Sequence, residues 1–472
     1  MAFQPATNLE QPLPTLLASD ALSGPFEGMA MVEGLIPSWL RGRLIRTAPA
    51  VFEFGPWRAR HWFDALGVLY AFRIDDSGCV RWMQRLLECE FNESVRAATP
   101  SLAGFGTPDG RRFMQRLMHP IPRSTDNTNV NILPMGERWT AFTETDRQLQ
   151  IDPTTLRTKA ESTFTDSLPR VLMSAHPHYD FARGELINCG VTYGAKSSIT
   201  VLRVREGSSE RLPIATVPLR RVPYVHSFSI TRSKVVLVLH PYDLNPARLL
   251  WSGRPLGDHY RWSPEQGTRV LVIDRETGQW TEHTGAPFFV FHTVHAFDEA
   301  DGSVTLDLLT YEDASLIREG MLTHTLRVTG MPDLTPTLQR MRIPKGPAAF
   351  ELAPVSNGAR FEFPSVNYGW VNGTMHRCVW GTDLKRVIRV DAVSGTTISN
   401  AITGVAPGEP VFVSRPSGTE EDDGVLLTVG SATAGRHSEL TVWDARTLDV
   451  LARARLPVSI PLGFHGSFQM TG

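Results

Sequence analysis

The sequence predicts an all-β protein assembled from repeated hairpins, and three observations predict it. Short runs rich in Val, Ile and aromatic residues dominate the chain, a strand-ending Asp followed by a turn recurs, and long helical periodicity is scarce.

Taken along the chain, the runs are VLYAFRI (68–74), KVVLVL (234–239), RVLVI (269–273), RVIRV (386–390), GVLLTV (424–429) and LTVW (440–443), each bounded by Asp, Gly or Pro. The recurring strings are FRIDDSG, LQIDPTTL, LVIDRETG, IRVDAVSG and TVWDARTL, which read as hairpin turns between antiparallel strands. Their aspartates are Asp75, Asp152, Asp274, Asp391 and Asp444, at gaps of 77, 122, 117 and 53 residues. If the two middle gaps each hide a degenerate copy, the spacing is roughly 55 to 75 residues and the copies number about seven, as in a β-propeller of four-stranded blades. Turns of this kind also occur in all-β proteins of other architectures, so the spacing leaves both readings open.

One stretch departs from the pattern. In GFGTPDGRRFMQRLMHPIP (104–122), Phe113, Met114, Leu117 and Met118 stand at helical spacing among Arg111, Arg112 and Arg116. It reads as a short amphipathic helix, either half-buried on the surface or placed at a membrane surface or tunnel mouth.

Of the 472 residues, 42% are hydrophobic and 20% charged, which is enough apolar material for a sizeable core. Long all-β units can fold as one piece, and a single domain over 1–472 is expected. A formal charge of −2 without like-charge tails argues against a nucleic-acid partner. The opening MAFQPATNLEQPLPTLLASD has neither a basic leader nor a signal-length apolar stretch, and no run of about 18 apolar residues occurs anywhere. A cytoplasmic protein with no transmembrane segment is expected. Cys79, Cys89, Cys189 and Cys378 are far apart and form no CxxC pair, so they read as inert thiols.

Four of the 14 histidines lie in short apolar or aromatic strings: His176 in MSAHPHYD, His226 in PYVHSFSI, His292 in FFVFHTVH and His465 in LGFHGSF. A buried His is costly unless its nitrogens are bonded. Singly, each reads more readily as a satisfied core residue. As a set they fit a four-imidazole metal site, because a propeller brings the inner strands of distant blades together around one axis.

These strings, AHPH, YVHSF, FHTVH and FHGSF, resemble the four ligand motifs of the carotenoid cleavage oxygenase family. IPSWLRGRLIRTAPAVFEFG, HWFDALGVLYAF, TDNTNV, FTETD, FEFPSVNY and GEPVFV followed by EEDDGVLL extend the likeness nearly end to end. Where the family usually has FDG, this chain has Phe63, Asp64 and Ala65. The resemblance implies a seven-bladed propeller capped by a dome of loops and short helices. It implies iron(II), Fe2+, held on the axis by His176, His226, His292 and His465, with His178 and His295 outside the ligand set. It also implies that Glu144, Glu362 and Glu409 accept the outer N–H of three of the imidazoles, the one matching His176 having no such partner. A carboxylate there fixes the imidazole tautomer and raises its basicity. Four protein ligands leave two octahedral positions for O2 and substrate, and imidazole suits iron among other metals.

Stilbene-cleaving relatives carry a Lys immediately before the first of these glutamates, where this chain has Thr143. TDNTNVNILPMGERWTAFTETD instead looks like the animal-type branch of β-carotene cleavers and retinoid isomerohydrolases, although Pro108 to Arg112 (PDGRR) stands where that branch often has PDPCK. The expected function is therefore O2-dependent cleavage of a carbon–carbon double bond in a carotenoid or apocarotenoid, giving aldehyde or ketone products, with an apolar polyene and O2 as partners and peripheral contact with membrane surfaces. The alternatives are stilbenoid cleavage, retinoid isomerohydrolysis and a non-catalytic carotenoid or retinoid carrier.

Overall fold

Antiparallel pairing organises the chain. In the computed structural model, which describes residues 12–471 except 24–25, 112–113, 115–117, 119–122, 137, 170, 195 and 250–253, seven sheets of four to six strands are joined by one three-stranded and one two-stranded sheet. Helices among the described residues are short, such as Glu90–Arg96 and Thr323–Thr329.

The recurring aspartates do what their sequence suggests. Asp75 closes the hairpin from Leu66–Ile74 to Val80–Leu86, and Asp152 that from Leu149–Ile151 to Thr158–Glu161. Asp274, Asp391 and Asp444 end the strands Thr268–Asp274, Val387–Asp391 and Ser438–Asp444 at equivalent hairpins. Each Asp Oδ1 accepts the backbone N–H two residues on, at 2.8–3.0 Å, the local bond that makes Asp a turn residue. The two long gaps each contain one further sheet of four or more strands. The corresponding turns, 206–210 (EGSSE) and 344–350 (PKGPAAF), lack the Asp, which is why these two copies do not repeat in the sequence.

The two ends of the chain cross over. Met31–Gly34 pairs with Val450–Leu456 in the last sheet, while Gly466–Met470 pairs with Gly42–Val51 in the first. The first and last sheets are thereby tied together through backbone hydrogen bonds. Strands from different sheets also pack side by side: Phe289–Asp298 lies between Ser229–Ile230 and Glu362–Ser365, and Asn131–Met135 lies against Gly466–Met470. Five tryptophans, Trp62, Trp82, Trp139, Trp380 and Trp443, fill the interior and are almost wholly buried.

Ala65, where the family pattern has Gly, sits at φ −60° and ψ 144° just after a helical turn, Trp62–Asp64. That backbone is open to any residue, so the departure distorts nothing. Asn127 and Asn129 of the TDNTNV string clamp this turn through the Ala65 and Phe63 carbonyls. Of the expected amphipathic segment, Met114 and Met118 are helical and exposed, while Phe113, Leu117, Arg112 and Arg116 lie outside the described residues. No helix among the described residues is long and apolar enough to cross a membrane. All four cysteines are free; three are buried, and burial pushes the thiols of Cys89 and Cys189 well up.

Candidate metal centre

Each of the four histidines is carried at a strand start or a strand irregularity, where a side chain escapes the alternation of a regular ladder. His176 precedes His178–Asp180, His226 precedes Ser229–Ile230 and His465 precedes Gly466–Met470. His292 lies inside Phe289–Asp298, where the pairing register with Val304–Tyr311 slips between Val290 and Thr293. The histidine-bearing segments are fastened to one another. Ser174 Oγ donates to the His226 carbonyl (2.6 Å) and accepts the His176 N–H (3.1 Å). Ser227 Oγ donates to the Phe291 carbonyl (2.7 Å) and accepts the Thr293 N–H (2.9 Å), gripping both sides of His292.

One nitrogen from each ring lies within 4.8 Å of the others, with His176 Nε2 3.1 Å from His226 Nε2 and His292 Nε2 3.2 Å from His465 Nε2. The opposite nitrogens face carboxylates: His226 Nδ1 meets Glu144, His292 Nδ1 meets Glu362 at 2.6 Å and His465 Nδ1 meets Glu409 at 2.7 Å. Among the described residues no carboxylate is hydrogen-bonded to the His176 ring, whose Nε2 faces His226 Nε2. All seven expected side chains are thus brought together.

This geometry fits a metal ion. When Glu362 and Glu409 accept the Nδ1–H of His292 and His465, both Nε2 atoms are left as bare acceptors facing each other at 3.2 Å. Two lone pairs in that arrangement call for a cation. Two of the rings are also kept neutral: burial first, then the neighbouring His465, His226 and His292, holds His176 well below the usual imidazole value, and burial brings His465 down to about 4 despite Glu409. Burial alone would raise Glu362 and Glu409. The imidazoles they face, with the Phe363 N–H and Tyr311 hydroxyl at Glu362 and Arg46 at Glu409, outweigh it and leave both below the usual carboxylate range.

A cavity of about 1160 Å³ adjoins the cluster on the His226 side. Its wall includes Glu144, Tyr224, Phe63, Phe105, Tyr260, Leu256 and the expected pocket residue Thr143, which is buried. Phe63 lies parallel to the His226 ring at 6.4 Å between centroids. The cavity is largely apolar with a smaller share of polar groups, as small-molecule sites generally are. His178 and His295 stand apart from the cluster. His178 bridges the Tyr368 hydroxyl and the Phe228 carbonyl, and His295 Nε2 reaches the Val371 and Thr374 carbonyls, so both are structural.

Three contributors escape sequence reasoning. Tyr224 donates to Glu144 Oε1 (2.9 Å) and Tyr311 to Glu362 Oε1 (2.8 Å), while Arg46 pairs with Glu409 Oε2 (3.1 Å). Tyr224 had a signal, since it precedes His226 by two residues and shares its face. Tyr311 and Arg46 had none.

The comparisons with known proteins agree with this geometry. Residues 23–470 match the family described as retinal pigment epithelial membrane protein. The mitochondrial carotenoid-cleaving dioxygenase of Mustela putorius furo is 29% identical, covering 93% of this chain and 93% of that protein. The β,β-carotene 15,15'-dioxygenase of Homo sapiens is also 29% identical, over 93% of this chain and 91% of that protein. Among solved structures, a chimera of apocarotenoid oxygenase and RPE65 superposes with a TM-score of 0.85 at 24% identity, and cobalt-substituted Synechocystis apocarotenoid oxygenase with 0.84 at 23%; each covers 97% of this chain and 98% of its own. Those two show a shared fold. With a family match over nearly the whole length, this chain belongs to the retinal pigment epithelial membrane protein, or carotenoid oxygenase, family.

Proposed function

We propose that this chain is an iron(II)-dependent dioxygenase that cleaves a carbon–carbon double bond of a carotenoid or apocarotenoid. On this reading one O2 is consumed per double bond, and one oxygen atom goes to each of the two aldehyde or ketone products. His176, His226, His292 and His465 are the ligands, and 1–472 is one unit in which the seven larger sheets are the blades of a propeller under a dome of loops and short helices. The observation that carries the reading is the convergence of four Nε2 atoms, three of them backed by glutamates, beside a largely apolar cavity. The names of the most similar relatives support the substrate class.

Bound iron would supply the site at which O2 is activated next to the polyene. The chain supplies the rest. Glu144, Glu362 and Glu409 hold three rings in one tautomer with Nε2 facing inward, and burial keeps the His176 and His465 rings free of protons at neutral pH. Phe63, Phe105 and Leu256 offer the polyene an apolar wall and exclude water from it. The reading keeps the protein cytoplasmic, meeting its substrate peripherally at membrane surfaces.

Thr143 lines the cavity with a hydroxyl where a stilbenoid cleaver would present an ammonium. A polyene and a hydroxystilbene offered together to iron-loaded protein are therefore expected to be consumed unequally, the polyene faster. Faster loss of the hydroxystilbene would reverse the substrate assignment.

A further inference from the structure

The three carboxylates beside the histidines differ in what else they accept. Glu144 and Glu362 each take a neutral tyrosine hydroxyl, from Tyr224 and Tyr311. Glu409 takes a guanidinium: Arg46 Nη1 lies 3.1 Å from Glu409 Oε2 and donates to the Glu409 carbonyl (3.2 Å), Nη2 donates to the Phe464 carbonyl (2.9 Å), and Nε donates to the Tyr70 hydroxyl (3.1 Å). The Arg46 side chain is 1% exposed, so this is a buried cation and it remains charged. Backbone register delivers it there, because Arg46 in Gly42–Val51 pairs with Gly466 on one side and Tyr70 on the other.

The carboxylates that face the imidazoles, and the guanidinium that backs one of them, can be counted as charges. Three carboxylates and one guanidinium leave a net of two negative charges around four neutral rings. A dication brings the set to zero, whereas a trication leaves an uncompensated positive charge in a buried site, where such a charge is costly. Without Arg46 the balance would move to favour the trication.

We infer that Arg46 sets the oxidation state of the metal: by cancelling one of the three carboxylates it favours Fe(II) over Fe(III). The couple is Fe(III) plus one electron giving Fe(II), with no bond made or broken in the protein. Arg46 acts through Glu409 and the Phe464–His465 backbone and is a positioning and charge-setting residue. The inference rests on the iron reading above.

The test uses the full chain reconstituted with iron, titrated against redox mediators, with ferric iron followed by electron paramagnetic resonance. At the parent's midpoint potential, Arg46→Gln is expected to raise the ferric-to-ferrous ratio roughly tenfold or more. Glu409→Gln should lower it, and the double variant Arg46→Gln/Glu409→Gln should return it towards the parent. Arg46→Lys, which keeps the charge and loses the fork, should stay near the parent. An unmoved ratio in folded, iron-loaded Arg46→Gln overturns the inference, as does a double variant that behaves like Glu409→Gln, because that is the result of a purely structural arginine. Should Arg46→Gln not fold, Glu409→Gln carries the test, and an unmoved ratio there overturns the charge count. A parent protein that takes up no iron fails the function proposed above instead, so the two failures are distinguishable.

Discussion

Glu362 is the side chain at which charge and hydrogen bonding can be separated. Its Oε2 accepts from His292 Nδ1 and from the Phe363 N–H (2.8 Å), while Oε1 accepts from the Tyr311 hydroxyl. A glutamine can keep its carbonyl towards His292 and turn its amide to Tyr311, whose hydroxyl accepts as readily as it donates. Glu362→Gln is therefore expected to melt within a few degrees of the parent, yet to lose about 10-fold to 100-fold in iron affinity or turnover. Iron titration and thermal melts separate the two effects, and parent-like iron affinity would show that the charge at this position is not used. At this scale the site was legible where residues carry local strings, as around the four histidines and three glutamates. Arg46 was not legible, since its partners at 409 and 464 lie far along the chain and no spacing connects them.

At the scale of the element, the strand carrying His465 depends on a close approach. A Cβ on Gly466 would stand 2.4 Å from the Ile45 carbonyl oxygen and 2.4 Å from Arg46 Cγ, and the first of these is backbone that cannot move aside. Gly466→Ala is expected to cost about 1–3 kcal/mol as an overpacked site and to loosen iron retention by tilting His465. Gly369→Ala is the control, because Gly369 is exposed with nothing within 4 Å of the added carbon. Denaturant unfolding of both variants decides it, and equal midpoints would contradict the packing argument. The Asp-turn strings exposed five sheets to sequence reading. The other two turn without Asp, and the register slip that aims His292 has no marker in FFVFHTVH, because a bulge depends on the partner strand as much as on its own residues.

For the whole molecule, burial of neutral histidines away from the metal cluster sets an acid limit. Burial is the largest cause that lowers His61 to about 4 and His240 and His295 to about 3. Their unfolded value is about 6.5. Above about pH 6.5 these rings are neutral in both states and the full stability is present; as pH falls towards 4 and below, the unfolded chain takes up protons that the folded chain refuses. Melts of metal-free protein are expected to fall in midpoint steadily from about pH 6.5 to pH 4, and a flat profile would contradict the burial of these rings. Chain-end pairing makes the same point about legibility, since Met31–Gly34 meeting Val450–Leu456 joins the two ends of the chain and no local string marks it. Turnover under isotopically heavy O2, with metal content measured in parallel, decides whether the four-histidine centre uses iron and O2 to split a polyene. About one iron per four-histidine site is expected, with heavy oxygen in both carbonyl fragments before exchange with water, and neither product from metal-free protein. Cleavage that proceeds equally without iron, or fragments whose oxygen comes from water alone, would contradict it.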